Sequence, residues 1–152
     1  MRLTRVYVDA PLGVGLMVEL PEHAAAHLVR VLRLREGDVC VLFNGNGHDY
    51  DARITSIGKR GVQVEVSTAR RIDNESPLSI TLLQGIARGE KMDLILQKAT
   101  ELGVTRIIPV HSDRSEVKLE GARSIKRLAH WRGVVASACE QSGRATLPEV
   151  NE

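Results

Sequence analysis

Apolar and polar positions change rhythm once along this chain, near its middle. Before that point the apolar residues come in short runs punctuated by turns. Residues 5–8 and 15–20 read as strands, Pro21 and Glu22 open a short helix through Leu32, and Glu36, Gly37 and Asp38 make a turn. Residues 39–43, VCVLF, form a buried strand. The NGNG at 44–47 is a strong hairpin signal, because asparagine and glycine tolerate the positive φ of tight turns. Residues 50–57 and 62–66 then alternate apolar with polar around a glycine-flanked turn at 58–61, as half-buried antiparallel strands do. Together these elements predict a small, mostly β barrel over residues 1–71.

After a polar, charged stretch ending in proline (RRIDNESP, 70–77), the period lengthens. Residues 84–109, QGIARGEKMDLILQKATELGVTRIIP, combine a basic turn, an amphipathic helix and the lead into a second apolar run. Met92, Ile95, Leu96, Ala99 and Leu102 recur at steps of three and four, so they share a stripe that can lie on a sheet, with Asp93, Gln97 and Lys98 opposite. Gly103 falls where a left-handed cap is wanted, so the helix should stop there. The flanking runs at 78–83 and 104–110 lack strict alternation, which predicts parallel strands buried on two faces and joined by a right-handed crossover. Residues 111–119 read as a loop at the carboxyl end of a strand, where open α/β sheets place their ligands. A second helix follows over 122–141, with Ile125, Leu128, Trp131, Val134, Val135 and Ala138 on one side and Gly143 as its cap. The fold class is therefore β followed by α/β: one domain at 1–71, a linker at 72–77 and a second domain at 78–152.

Composition narrows this picture only slightly. At 152 residues the chain is long enough to bury a core, and its net charge of +2 does not by itself imply a nucleic-acid partner. Two cysteines, Cys40 and Cys139, fit neither a disulfide framework nor a zinc pair, so both read as buried thiols in a reducing compartment. MRLTRVYVDA lacks the apolar core of a signal peptide, and no apolar stretch approaches the roughly 20 residues needed to span a bilayer. A cytoplasmic protein is expected, with no membrane partner.

Local clusters carry the candidate chemistry. His23, His27, Arg30 and Arg33 share one side of the first helix. The two histidines at i and i+4 either bind a metal or, with His27 beneath the barrel, act as packing residues. No third ligand lies nearby, and no metal is expected. Arg30, Arg33 and Arg35, with Arg2 and Arg5, make either a phosphate-binding face or a solvated surface. In the loop, Arg114 is either a ligand contact or the partner of Asp113 or Glu116. From 114 to 132 six basic residues (Arg114, Lys118, Arg123, Lys126, Arg127, Arg132) face two acids (Glu116, Glu120), giving either a solvated helix face or an RNA-backbone surface. Glu140, Gln141, Ser142, Gly143 and Arg144 close the last helix as a dense polar group. Gly85, Gly89 and Lys91 lack the spacing of a phosphate loop, and neither GxGxxG nor GxSxG occurs, so kinase, dehydrogenase and serine-hydrolase readings are poor.

The order HLVRVLR (27–33), GD (37–38), LFNG (42–45), QGIARGEKMDLILQKATELGVTRIIPV (84–110), DRS (113–115), KRLAHW (126–131) and EQSGR (140–144) resembles the RsmE family. These are bacterial 16S ribosomal RNA uridine N(3)-methyltransferases of the SPOUT superfamily, and the similarity covers nearly the whole chain. The resemblance implies a PUA-like RNA-binding barrel followed by a knotted, Rossmann-like α/β domain that uses S-adenosylmethionine and works as a homodimer. Its target is one uridine of the small ribosomal subunit RNA. Arg30 and Arg33 gain weight as RNA contacts, and Arg2, Arg5, Lys118, Lys126 and Arg127 join them as candidates. Lys91, Lys98 and Glu101 become candidates for shaping the catalytic face. Arg114, Glu140, Gln141 and Arg144 become candidates for lining the site, with Arg144 nearest the reacting uridine.

Family members continue beyond the position of Glu152, through the strands and loops that tie the knot and hold the methyl donor. The chain therefore reads as a truncated piece, expected to be inactive alone and not to bind the cofactor in the family's manner. The alternatives are an RNA-binding module without catalysis and a nucleotide-binding α/β domain of another enzyme.

Overall fold

A computed structural model describes residues 3–114 and 121–152, so the candidate RNA contacts Arg2 and Lys118 lie outside the described residues. The chain divides into two compact units, Met1–Asp73 and Asn74–Glu152.

Unit 1 is built on five strands: β1 (Arg5–Tyr7), β2 (Met17–Glu19), β3 (Val39–Phe43), β4 (His48–Gly58) and β5 (Gly61–Arg71). Their order in the sheet is β1-β3-β4-β5-β2, parallel between β1 and β3 and antiparallel elsewhere. Alternation decides the faces: Val62, Val64 and Val66 of β5 are buried while Gln63 and Glu65 are exposed. The predicted hairpin forms at 44–47, where the backbone N–H of Asn46 donates to Asn44 Oδ1 and that of His48 to Asn46 Oδ1. Strand β5 runs further than its apolar pattern, because Arg70 and Arg71 stay paired with Asp49 and His48 of β4.

The single helix expected over 22–32 is two pieces. An α-helix, α1 (Glu22–Ala26), passes into a π-helical turn over His27–Val31, closed by the Leu32 N–H donating to the His27 carbonyl. Arg33 ends it with φ 57, the one non-glycine residue at positive φ among those described. Leu28 packs inward at 0% exposure, but His27 is exposed, so the expectation that His27 packs beneath the barrel is corrected.

Arg5 is likewise not at a surface. Its Nη2 and Nε donate to Asp49 Oδ1 and Oδ2 at 2.7 and 3.2 Å, and its guanidinium lies 4.2 Å from the centre of the Phe43 ring. Both partners are nearly buried. Arg5 therefore fastens β1 to β4 rather than presenting charge to a phosphate. Cys40 is fully buried between these strands, and burial pushes its thiol up to about 11, which keeps it protonated and unreactive.

Unit 2 is a three-stranded parallel sheet, β6 (Thr81–Gly85), β7 (Arg106–Val110) and β8 (Glu149–Val150), in that order. Helices α2 (Glu90–Glu101) and α3 (Ala122–Ser142) form its two crossovers. The core joins Met92 and Leu96 of α2, Leu128, Trp131 and Val135 of α3, and Ile107 and Val150 of the sheet. Six apolar residues expected inside are exposed instead: Leu78, Ile80, Leu83, Leu102, Val110 and Ile125. Thr100 takes the place in the α2 stripe, with its hydroxyl donating to the Leu96 carbonyl at 2.7 Å. Leu83 is open to solvent because only one face of β6 is packed, so burial on both faces does not hold for that strand.

Removing one partner of the Arg5–Asp49 pair leaves an uncompensated charge in the sheet, so Asp49→Ala should destabilise unit 1 by about 3–5 kcal/mol. Urea unfolding followed by circular dichroism measures this; a loss below about 1 kcal/mol would mean that the pair contributes little.

Candidate functional site

The polar group that ends α3 sits where three segments of unit 2 meet. α2 closes on Gly103 (φ 100) in a Schellman arrangement: the Val104 N–H donates to the Ala99 carbonyl and the Gly103 N–H to the Thr100 carbonyl. α3 closes in the same sense on left-handed Gly143, whose N–H donates to the Cys139 carbonyl. Both caps fall on the glycines that the sequence marked. Directly after the second cap comes Arg144.

Arg144 is only 5% exposed. Its Nε and Nη2 donate to Glu75 Oε2 and Oε1 at 2.9 and 2.6 Å, and its Nη1 donates to the carbonyls of Thr100 and Val104 at 2.8 and 2.9 Å. A planar fork meets a carboxylate on one edge and the open carbonyl end of α2 on the other, where the helix dipole favours a cation. Asn74 adds a bond from its Nδ2 to the Gly143 carbonyl. Residues 74–75, expected as linker, are thus bonded into unit 2. These bonds commit both edges of the Arg144 guanidinium to the fold of unit 2.

The other candidates are distributed more widely. Gln141 is exposed and lines a groove of about 470 Å³ between α2 and α3, together with Glu90, Asp93, Gln97 and Ser137. Glu140 precedes it, half-buried. Arg114 is exposed in the loop after β7, at the carboxyl end of the sheet. Lys91 is exposed at the start of α2, and Lys98 pairs with Glu101 at 3.0 Å one turn before the cap. On α3, Lys126 is exposed and Arg127 half-buried, while Arg132 donates to the Val150 carbonyl. In unit 1, Arg30 and Arg33 are exposed on either side of the end of the π-turn. Sequence reasoning missed Glu75, hidden in a polar stretch, and the pairing of His130 with Asp93 (2.9 Å) that joins α3 to α2. It also passed over Lys59 and Arg60, seen only as part of a turn. Among the described residues no group of three or more His, Cys, Asp or Glu is placed to hold a metal, and no helix is long and apolar enough to cross a membrane.

Residues 74–152 match the family model described as the RNA methyltransferase domain. The chain belongs to the RNA methyltransferase family. Residues 20–67 match the companion RNA methyltransferase PUA domain, so the β unit and the α/β unit each carry their own family signature. A ribosomal RNA small subunit methyltransferase E from Neisseria gonorrhoeae, crystallised bound to S-adenosyl methionine, is 47% identical with a TM-score of 0.91, covering 99% of this chain and 62% of its own. A putative methyltransferase from Legionella pneumophila, in complex with the same cofactor, is 35% identical with a TM-score of 0.94, over 99% of this chain and 62% of its own. The ribosomal RNA small subunit methyltransferase E of Buchnera aphidicola is 30% identical over 98% of this chain and 61% of its own length. The chain therefore spans 61–62% of the length of these relatives.

S-Adenosylmethionine joins a flat adenine to a sulfonium and an amino acid, so a site for it needs an apolar slot beside hydrogen-bond donors. The groove between α2 and α3 sets Leu94, Val134 and Ala138 beside the amides of Gln97 and Gln141 and the carboxylates of Glu90 and Asp93, so it holds both kinds of group.

Arg144→Ala removes a buried cation, takes a donor from the carbonyls of Thr100 and Val104 and leaves Glu75 without its ion-pair partner, so unit 2 should lose about 3–5 kcal/mol. Arg144→Lys should recover less than half of that, because a single ammonium cannot bridge both edges. Chemical denaturation of the three proteins compares them; full recovery by lysine would show that charge alone matters.

Proposed function

We propose that this chain belongs to an S-adenosylmethionine-dependent methyltransferase that modifies N3 of one uridine in the 16S RNA of the small ribosomal subunit, in the cytoplasm and as a homodimer. The observation that carries the reading is the coincidence of two family signatures on two separately folded units, one β and one α/β. The named relatives, two of them solved with the methyl donor, support the donor and the RNA class. Two free, buried cysteines accord with a reducing compartment.

Methylation of a uridine nitrogen asks the protein for position and charge. N3 must lose its proton, to a base or to solvent, and attack the methyl carbon in line, so that the N–C bond forms as the S–C bond breaks and the donor leaves as a thioether. When bound, the donor supplies an electrophilic methyl group. In this reading Arg114, in the loop after β7, stabilises the anion that forms as the proton leaves, and Glu140 and Gln141 orient the base. Arg144 acts behind them as a positioning residue, holding the end of α3 against α2. Arg30 and Arg33 contact the RNA, with Lys126 and Arg127 as further contacts on α3. The strain at Arg33 supports its part, since a residue held at positive φ without glycine is disfavoured by about 1–2 kcal/mol.

The reading predicts N3-methyluridine in small subunits incubated with the protein and S-adenosylmethionine, detected by mass spectrometry of the digested nucleosides. A methyl group on another atom would overturn the N3 assignment. Calorimetry separates the alternative: binding of RNA with no saturable heat from S-adenosylmethionine identifies a non-catalytic RNA-binding module. Light scattering tests the dimer.

Arg33→Gly should raise stability by up to about 1 kcal/mol, because glycine takes φ 57 without the steric penalty, while RNA affinity falls. Parallel unfolding and fluorescence-anisotropy titrations measure both. A fall in stability would show that the arginine side chain holds the turn.

A further inference from the structure

Unit 1 uses several of its cations internally. Arg5 is bound to Asp49, Arg70 to Asp51, and Arg53 donates to the Gly37 carbonyl. Of those whose side chains form no hydrogen bond or ion pair among the described residues, three converge. Arg30, from the π-turn, and Lys59 and Arg60, from the turn between β4 and β5, are exposed and line one groove of about 440 Å³. This volume lies in the range of sites that hold a small organic ligand.

The rest of the lining is selective. Ala25, Ala26, Val29 and Ile57 make an apolar wall, and Glu19 and Glu22 supply the carboxylates. Neither carboxylate pairs with any of the three cations, although all share the groove. Gly61, at φ 122, lets β2 and the turn come together: a Cβ there would lie 3.2 Å from Glu19 Oε1. The carboxylate of Glu19 thus sits against the turn that carries Lys59 and Arg60. Unpaired charges of both signs beside an apolar wall do not suit a bare anion, which the carboxylates would repel, nor an apolar ligand, which would strand the charges. They suit a ligand with an anionic group, a flat apolar face and an edge of hydrogen-bond donors. A nucleotide has all three.

We propose that this groove is a subsite for one unpaired nucleotide of a single-stranded RNA. Its phosphate lies on Arg30, Lys59 and Arg60, its ring lies against Val29 and Ile57, and its donor edge faces Glu19 or Glu22. Guanine fits that edge best, because its N1–H and exocyclic amino group donate side by side to one carboxylate, whereas uracil and adenine offer no such pair. The inference rests on the RNA-binding reading above and adds to it a place and a base. Sequence-independent affinity comes from the cations, and base preference from the carboxylates.

The test titrates the full chain against fluorescently labelled oligouridine carrying either one central guanosine or one central adenosine, at several salt concentrations. The expected result is about 5- to 10-fold tighter binding of the guanosine oligomer. Arg30→Ala/Arg60→Ala should weaken both by at least about 10-fold and flatten the salt dependence by about 1 for each cation removed. Glu19→Gln/Glu22→Gln should abolish the guanosine preference while leaving the chain bound to both oligomers. Thermal unfolding of each variant confirms that it remains folded; should the double arginine variant unfold, Lys59→Gln is read in its place. Unchanged affinity in a folded cation variant, or no guanosine preference in the unsubstituted chain, overturns the subsite while RNA binding itself stands. Absence of any RNA binding at low salt defeats the underlying reading instead.

Discussion

The α/β unit depends on one guanidinium. Arg144 joins residue 75, the carbonyl end of α2 and the turn that leaves α3 through four hydrogen bonds at 2.6–2.9 Å. A buried cation is tolerable only when its donors are satisfied and its charge is opposed, and here the carboxylate of Glu75 opposes it while the helix end accepts the remaining bonds. The arrangement makes the two glycine caps interdependent. Gly103 turns the chain so that the carbonyls of Thr100 and Val104 point to one place, and Gly143 delivers Arg144 to it.

Under the reading proposed above, this constraint makes Arg144 a positioning residue. The same turn of α3 that is pinned by Arg144 carries Glu140 and Gln141. Their position relative to α2 is therefore only as definite as the ion pair behind them.

Unit 1 separates two uses of arginine that look alike in sequence. Arg5 and Arg30 are both basic residues in short elements of a β-rich unit, yet one is enclosed between Asp49 and Phe43 and the other is open in a groove. The difference lies in the partner. Asp49 stands on a strand that β3 brings close to β1, whereas no carboxylate reaches Arg30 among the described residues. Charge neutralised inside the sheet strengthens the sheet, and charge left outside it is available to a ligand.

Much of the architecture was legible in local patterns, because local rules decide it. The hairpin at 44–47, the helix from Glu90, the caps at Gly103 and Gly143, and the change from β to α/β near residue 74 all follow from glycine's tolerance of positive φ and from side-chain period. The candidate site was legible only as a set of residue types. Whether Leu83, Leu102 and Ile125 lie inside depends on whether another element covers that face, and period alone does not say so. The π-turn at His27 and the left-handed Arg33 have no sequence signal of their own. Above all, Glu75 and Arg144 are 69 residues apart. Sequence by itself determined where the backbone turns and which faces are apolar, because those are set by each residue's own conformational limits. Only the tertiary structure decided which charges meet, because an ion pair is fixed by distance in space, and the path of the chain between its partners carries no record of it.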